Sequence, residues 1–275
     1  MRGHRRARAL ADHAMVLAGG CAAALATAVL PAAAPAAAQE LGLEGALRLA
    51  SSYEARGKTY HEGPAAQVMA DVVASWAGGE VRAGAWVNGE LWQAEQGATM
   101  LAGAAPGMSE VNLYVSTARR AGPVTVTGGW IYFLWPTGFD FSDASAVHEL
   151  YVGASAPLPA ALGRAGAAAS ATAYYDFSAR GTYAVVTVGA PLAEAWSLRP
   201  ELGLEVAGIV SQEEYYARAD GLTHVGVKLS AAAAGRWTVI RPELRWTIGL
   251  DEAARVGAVR EDCRHKLHLG LSFSR

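Results

Sequence analysis

The chain has 275 residues, 52% of them hydrophobic, and its formal net charge is −2. This length suits one large β domain or two small ones. The slight acidic balance argues against a nucleic-acid-binding protein, which normally carries a basic patch. After the N-terminal segment, no apolar run reaches the roughly 20 residues that a transmembrane helix needs. Composition therefore leaves a chain of strands and turns as the favoured class.

The N-terminus has the pattern of an export signal. A basic region contains Arg2, Arg5, Arg6 and Arg8, an apolar stretch covers residues 15–30, and an Ala-x-Ala cleavage site ends at Ala38. These features predict a signal peptide over residues 1–38 and a mature chain over residues 39–275. Cleavage there would remove Cys21 and leave Cys263 alone, so the mature chain would have no internal disulfide.

The mature chain breaks into about a dozen segments in which apolar and polar residues alternate, which is typical of strands with one apolar face. In the last segment, for example, Leu267, Leu269 and Leu271 alternate with His268 and Gly270. The predicted strands are residues 41–52, 65–76, 80–92, 110–118, 123–135, 146–156, 166–177, 182–190, 196–210, 222–232, 237–248 and 266–273.

The links between these segments alternate in length. Short links are predicted at residues 77–79, 119–122, 191–193 and 234–236, and a somewhat longer one at 157–164. Longer polar links are predicted at residues 54–64, 93–109, 136–145, 211–221 and 249–265, whereas residues 177–181 are a short exception. Short turns on one side and long loops on the other are typical of outer-membrane barrels. The prediction is an all-β fold, a single transmembrane antiparallel up-and-down β-barrel of about 12 strands.

If the apolar face meets lipid, the polar face lines a lumen. The predicted pore-lining residues on that face are Arg48, Asp71, Arg82, Glu110, Glu149, Glu201, Glu205, Lys228, Arg241, Glu243, Arg245 and Lys266. Acids and bases are almost evenly mixed. They could pair across the barrel and close it, or line a small aqueous channel. A soluble sheet with one solvated face would carry the same residues.

No motif in the sequence indicates catalysis. There is no G-x-S-x-G elbow, H-E-x-x-H pair or C-x-x-C pair. His265 and His268 are three residues apart, which on a strand puts them on opposite faces. The sequence therefore predicts no enzymatic activity, no cofactor and no metal site. A lipid-modifying barrel enzyme would need a Ser or His constellation on the outer face.

The first hairpin resembles TorF-family porins. Ser51-Ser52-Tyr53-Glu54-Ala55-Arg56-Gly57 is similar to a Ser-x-Tyr-x-x-Arg-Gly turn of that family, and Pro64-Ala65-Ala66-Gln67 to its Pro-Ala-x-Gln entry into the second strand. Glu149-Leu150-Tyr151 and Tyr174-Tyr175-Asp176 resemble later positions. The resemblance implies an outer-membrane barrel with a passive-transport role. The chain departs from the family at its end, where Ser274 and Arg275 follow Phe273.

These observations together predict an outer-membrane porin-like barrel that passes small polar solutes or ions by passive diffusion. Its expected partners are outer-membrane lipid and those solutes, with no nucleic acid. One alternative is a closed structural or adhesion barrel whose extracellular loops bind a partner. Another is a soluble periplasmic β protein.

Overall fold

A computed structural model describes residues 40–56, 58–61, 63–91, 108–137, 140–159, 166–192, 198–211, 221–235, 238–250 and 265–275. The predicted signal peptide, Cys21 and Cys263 lie outside these residues, as do Trp92, Trp196 and Trp237. No helix in the described part of the chain is both long and apolar enough to cross a membrane.

The described residues form strands and turns. The strands are β1 (Glu40–Ala50), β2 (Tyr53–Ala55), β3 (Lys58–His61), β4 (Ala65–Trp76), β5 (Gly79–Glu90), β6 (Met108–Ala121), β7 (Val124–Thr137), β8 (Asp140–Pro157), β9 (Ala168–Asp176), β10 (Gly181–Pro191), β11 (Arg199–Ser211), β12 (Gly221–Ala234), β13 (Val239–Gly249) and β14 (His265–Ser274).

Among the described residues, twelve of these strands form one closed antiparallel barrel, in which neighbours in the chain are neighbours in the sheet. β14 pairs with β1, and Leu47 lies opposite Phe273. The strands β2 and β3 pair only with each other. The predicted fold class and the closure of the last strand onto the first are therefore confirmed.

Alternation in the sequence sets which side chains point outward. In β1, Leu43 lies opposite Val72 of β4, and the next pair is Glu44 with Asp71. Residues directly opposite each other in a sheet share a face. The pair of Leu43 and Val72 therefore faces out, and the pair of Glu44 and Asp71 faces in. A slip of one residue would exchange the two faces, so the apolar pattern selects this register.

The outer surface is strongly apolar. Leu43 is 81% exposed and Leu267 is 64% exposed, and exposed leucines and valines occur on strands all around the barrel. In the described part of the chain, more polar or charged side chains than hydrophobic ones are buried. A water-soluble protein has the opposite distribution, and a large exposed apolar surface marks a membrane or partner contact. The barrel surface is that of a protein surrounded by lipid.

Two predicted long links differ from the expectation. Residues 136–145 were expected to be a loop, but β7 continues to Thr137 and β8 begins at Asp140, with these two residues paired. Strands that continue beyond the lipid need no apolar face, so their sequence has the polar composition of a loop. Residues 54–64 were also expected to be a loop, but they contain β2 and β3, which form a hairpin.

Candidate functional site

The two ends of the barrel differ in their connections. The turns 77–78 and 122–123 lie at the end that carries both termini of the described barrel, which we call the short-turn end. Gly122 has a positive φ of 61°, which a tight turn requires and glycine adopts without strain. The opposite, long-loop end carries the connection between β1 and β4 (residues 51–64). We call this segment the inward hairpin, because its side chains reach the inner face of the barrel.

Tyr53 joins the inward hairpin to β5 and β6. Its hydroxyl donates a hydrogen bond to the Glu110 carboxylate, which also accepts one from Trp135 Nε1 at 3.2 Å. The Tyr53 ring lies 5.8 Å from the Trp86 ring and stacks on Tyr60 at 5.5 Å. Burial raises the pKa of Tyr60 to about 12, so this phenol stays neutral at physiological pH. The hairpin therefore packs through aromatic rings on this wall.

Arg56 joins the inward hairpin to another part of the wall, β8 to β10. Its guanidinium forms an ion pair with Glu149, whose side chain is only 2% exposed. The same guanidinium lies over the rings of Tyr174 and Tyr183, at 5.5 and 5.1 Å from their centroids, which is cation–π geometry. Arg56 has a positive φ of 53°, which is uncommon outside glycine. Its tertiary contacts hold it in this conformation.

Glu54 joins the inward hairpin to β14. Its carboxylate Oε2 lies 2.6 Å from His268 Nε2, a contact that is an ion pair when the imidazole is protonated. Burial raises the pKa of Glu54, but His268, with Arg245 and Lys266, outweighs it and brings the pKa below its ordinary value. Through Tyr53, Glu54 and Arg56 the hairpin contacts strands from several sides of the barrel, so it crosses the lumen.

A second polar cluster lies on the wall formed by β1, β4, β5 and β6. Arg82 Nη1 donates to Asp71 at 2.6 Å and to Glu44 at 2.7 Å, and the Tyr114 hydroxyl donates to the same aspartate. Gly84 lies beneath this cluster, and a Cβ there would come within 2.7 Å of a backbone oxygen of β4. The close packing of the cluster therefore depends on glycine at this position.

Inside the barrel lies a cavity of about 670 Å³. Gly166 and Pro191 line it near the short-turn end. Six charged side chains line it as well: Arg48, Glu201, Glu205, Lys228, Glu243 and Arg245. Arg48 Nη2 lies 2.9 Å from Glu243 Oε1, and Arg245 pairs with Glu205. His224 Nε2 also lies 2.9 Å from Glu205. The cavity wall therefore carries equal numbers of acidic and basic side chains among its other lining residues.

The structure places all of the predicted pore-lining residues on the inner, polar face of the sheet. They fall into separate groups. Six line the cavity, as given above. Asp71 and Arg82 belong to the wall cluster, and Glu110 and Glu149 lie buried against the inward hairpin. Lys266 is buried opposite Thr247, and Arg241 is exposed opposite Ser272. Whether they line an open pore stays a prediction.

The residues that the sequence prediction missed belong to the inward hairpin. Glu54 and Arg56 fall within the predicted polar link 54–64, and Tyr53 directly precedes it. The sequence did contain a signal for tertiary contacts, because charged residues with strong hydrogen-bonding groups stand there close to two tyrosines. Nothing in a local pattern says that a loop folds inward, since its partners Glu149 and His268 are far away in the chain.

Aromatic residues lie on both faces of the barrel. Outward-facing Trp130 and Tyr132 of β7 stack with His148 of β8, with ring centroids 4.6–5.9 Å apart. Rings in this position suit a membrane interface. Trp86 and Trp135 instead face inward and contact the inward hairpin or its acceptor. Aromatic side chains of the described strands therefore form a stack on the outer face and also pack inside the barrel.

No protein-family model matches the chain, and no curated protein matches it. Among solved structures, the COG4313 outer membrane channel from Pseudomonas putida F1 matches with a TM-score of 0.53 and 11% identity, over 88% of this chain and 99% of that chain. The NanC porin matches with a TM-score of 0.49 and 11% identity, over 85% and 98%. The KdgM porin matches with a TM-score of 0.44 and 7% identity, over 84% and 96%.

At 11% identity, the match to the Pseudomonas channel shows a shared fold and nothing finer. The chain therefore has the fold of an outer-membrane β-barrel. The resemblance of its first hairpin to TorF-family porins stays a prediction, because no family model matches it.

Proposed function

We propose that the chain is a porin-like barrel of the bacterial outer membrane, through which small polar solutes or ions diffuse passively. The observation that carries the proposal is a cavity of about 670 Å³ inside the barrel, lined by three acidic and three basic side chains, beneath an apolar outer surface. A space lined by charges of both signs suits the passage of polar solutes. The resemblance to TorF-family porins and the fold shared with the Pseudomonas channel agree with this role.

In this proposal the twelve predicted inner-face charges surround the pathway, the six that line the cavity border it directly, and the inward hairpin narrows it. In the cavity a solute meets both signs of charge, because three acidic and three basic side chains line it. A pathway with balanced charge selects weakly between anions and cations, and its selectivity comes mainly from size. Residues 1–38 would act as the export signal that delivers the barrel, and no enzymatic step is proposed.

The test is reconstitution of the folded, heat-modifiable mature chain in planar lipid bilayers. Stepwise conductance in KCl is expected, with steps well below those of wide trimeric porins because the inward hairpin occupies part of the lumen. A folded barrel that inserts and gives no conductance steps, and no swelling of liposomes in small sugars, would overturn the proposal.

A second candidate is a closed barrel whose extracellular loops bind a partner. The anchoring of the inward hairpin to several sides of the barrel favours it, because such contacts can fill the lumen. The same bilayer experiment separates the two functions. If the wild-type chain is silent and a chain with residues 53–61 replaced by a short glycine-serine link conducts, the hairpin is a permanent plug and the second candidate is correct.

A further inference from the structure

The charged side chains around the cavity divide into paired and unpaired groups. Arg48 pairs with Glu243 at 2.9 Å, and Arg245 pairs with Glu205. Each pair joins one positive and one negative side chain within the wall. The pair as a whole therefore presents little net charge to a solute. The remaining charges, Lys228 and Glu201, must account for any strong recognition in this cavity.

Lys228 and Glu201 make no hydrogen bond or ion pair in the part of the chain that the structure describes. Lys228 acts on Glu205 only through longer-range attraction. In the sheet, Glu201 of β11 lies opposite Ser230 and Gly203 lies opposite Lys228. The two charged residues are thus diagonal neighbours on the inner face, a relation in which Cβ atoms lie somewhat less than about 7–8 Å apart.

Glycines beside these two side chains keep the space open. A Cβ on Gly189 would lie 2.7 Å from Glu201 Oε1, so the carboxylate rests on the glycine backbone of β10. A Cβ on Gly203 would lie 3.6 Å from both Cβ and Cε of Lys228. Since Gly189, Gly203 and Gly226 all line the cavity, each of three adjacent strands has one inner-face position there without a side chain. A small solute therefore has access to the ammonium and the carboxylate together.

An internal pair between Lys228 and Glu201 would compete only weakly with a solute. A solvated ion pair is worth about 0–1 kcal/mol, because water already stabilises both charges. A solute that carries both an ammonium and a carboxylate makes two charge-assisted hydrogen bonds instead, and such bonds are about twice as strong as neutral ones. A solute with a single charge satisfies only one of the two side chains.

We propose that the cavity contains a binding site for small zwitterionic solutes, of the size of amino acids and dipeptides. The Lys228 ammonium receives the solute carboxylate, and the Glu201 carboxylate receives the solute ammonium. The proposal rests on the proposed function, since it names the class of solute that a porin-like barrel would favour.

The test uses glycylglycine as the zwitterion and three probes of similar size as controls. They are N-acetylglycine, an anion; glycylglycinamide, a cation; and N-acetylglycinamide, which is neutral. Block of the single-channel current by each probe is measured with the folded mature chain in planar bilayers. Glycylglycine is expected to block at a concentration at least about tenfold lower than any control probe, a difference of about 1.4 kcal/mol.

The variants Glu201→Gln and Lys228→Met should each weaken block by glycylglycine about tenfold and remove the preference over the singly charged probes. Glu40→Gln is the matched control, because Glu40 is an exposed residue at the start of β1 and does not line the cavity. It should leave the block unchanged.

Equal block by all four probes, or unchanged block in either cavity variant, would overturn the site. Calorimetric titration of glycylglycine into the detergent-solubilised barrel is run in parallel. A wild-type barrel that is silent in bilayers but binds glycylglycine in a Lys228-dependent manner refutes the porin role and supports the site. A barrel that conducts but shows no zwitterion preference refutes only the site.

Discussion

Replacement of Arg56 by methionine tests whether the inward hairpin controls passage through the barrel. Methionine keeps most of the side-chain length but removes the charge that Glu149 faces. Removing one partner of a buried ion pair costs about 3–5 kcal/mol, because the other charge stays buried and unpaired. We use the lower end, about 3 kcal/mol, because 20% of the Arg56 side chain is exposed.

The two tyrosine rings under Arg56 add to this cost. Each cation–π contact contributes about 0.5–1 kcal/mol, so the docked hairpin loses about 4 kcal/mol in total. At 1.4 kcal/mol per factor of ten, the ratio of docked to undocked hairpin falls several hundredfold. The strands do not depend on this contact, so the barrel itself should remain folded and heat-modifiable.

The assay is single-channel recording of the wild type, Arg56→Met and the matched control Arg119→Met. Arg119 is an exposed residue near the short-turn end of β6, outside the cavity and the inward hairpin, so its loss removes the same charge without touching the hairpin. Arg56→Met should show longer or larger openings, whereas Arg119→Met should resemble the wild type. The double variant Arg56→Met with Glu149→Gln should recover part of the docking. Identical recordings for Arg56→Met and the wild type would refute the reasoning.

Three further changes test the fold and the hairpin. Gly84→Ala should destabilise the barrel by about 1–3 kcal/mol, because its Cβ meets a backbone oxygen at 2.7 Å, whereas Gly42→Ala, with open space around it, should melt like the wild type. Leu269→Arg should block stable membrane assembly, since an arginine facing lipid costs about 2–4 kcal/mol at the midplane. Thr187→Arg, on the cavity wall, should still assemble. Equal assembly of the two variants would contradict the assignment of faces. The pKa of Glu54 is lowered in the folded barrel, so its contribution to hairpin docking is present above its ordinary pKa of 4.5 and is lost as the pH falls through the lowered value. Channel openings should therefore increase only in that acid range. Glu54→Gln should abolish this pH dependence.

The sequence alone predicted the fold class, and the reason is physical. A strand in a lipid-facing barrel must place an apolar side chain outward at every second position, so residues such as Leu267 and Leu269 show the face directly. The lengths of the predicted links then indicated that the strands run up and down in chain order. They also indicated which end of the barrel carries the short turns. The extension of β7 and β8 beyond the lipid was missed, because strands in water are free of that apolar requirement.

The inner face was predicted as a set of charges without partners. Alternation shows that Glu149 and Arg245 point inward, since each strand has a fixed period of two. It cannot show that Arg245 pairs with Glu205 or that Glu149 pairs with Arg56, because these partners come from distant parts of the chain. Pairing across a lumen depends on barrel closure and strand register, which join residues that no local pattern connects.

The sequence by itself determined that this protein is a barrel with an apolar outside and a charged inside. The tertiary structure decided what occupies that inside. A hairpin of ordinary loop composition folds inward because Tyr53, Glu54 and Arg56 find buried partners on separate walls. The same closure leaves Lys228 and Glu201 unpaired beside a wall of glycines. Both features exist only after the last strand has paired with the first.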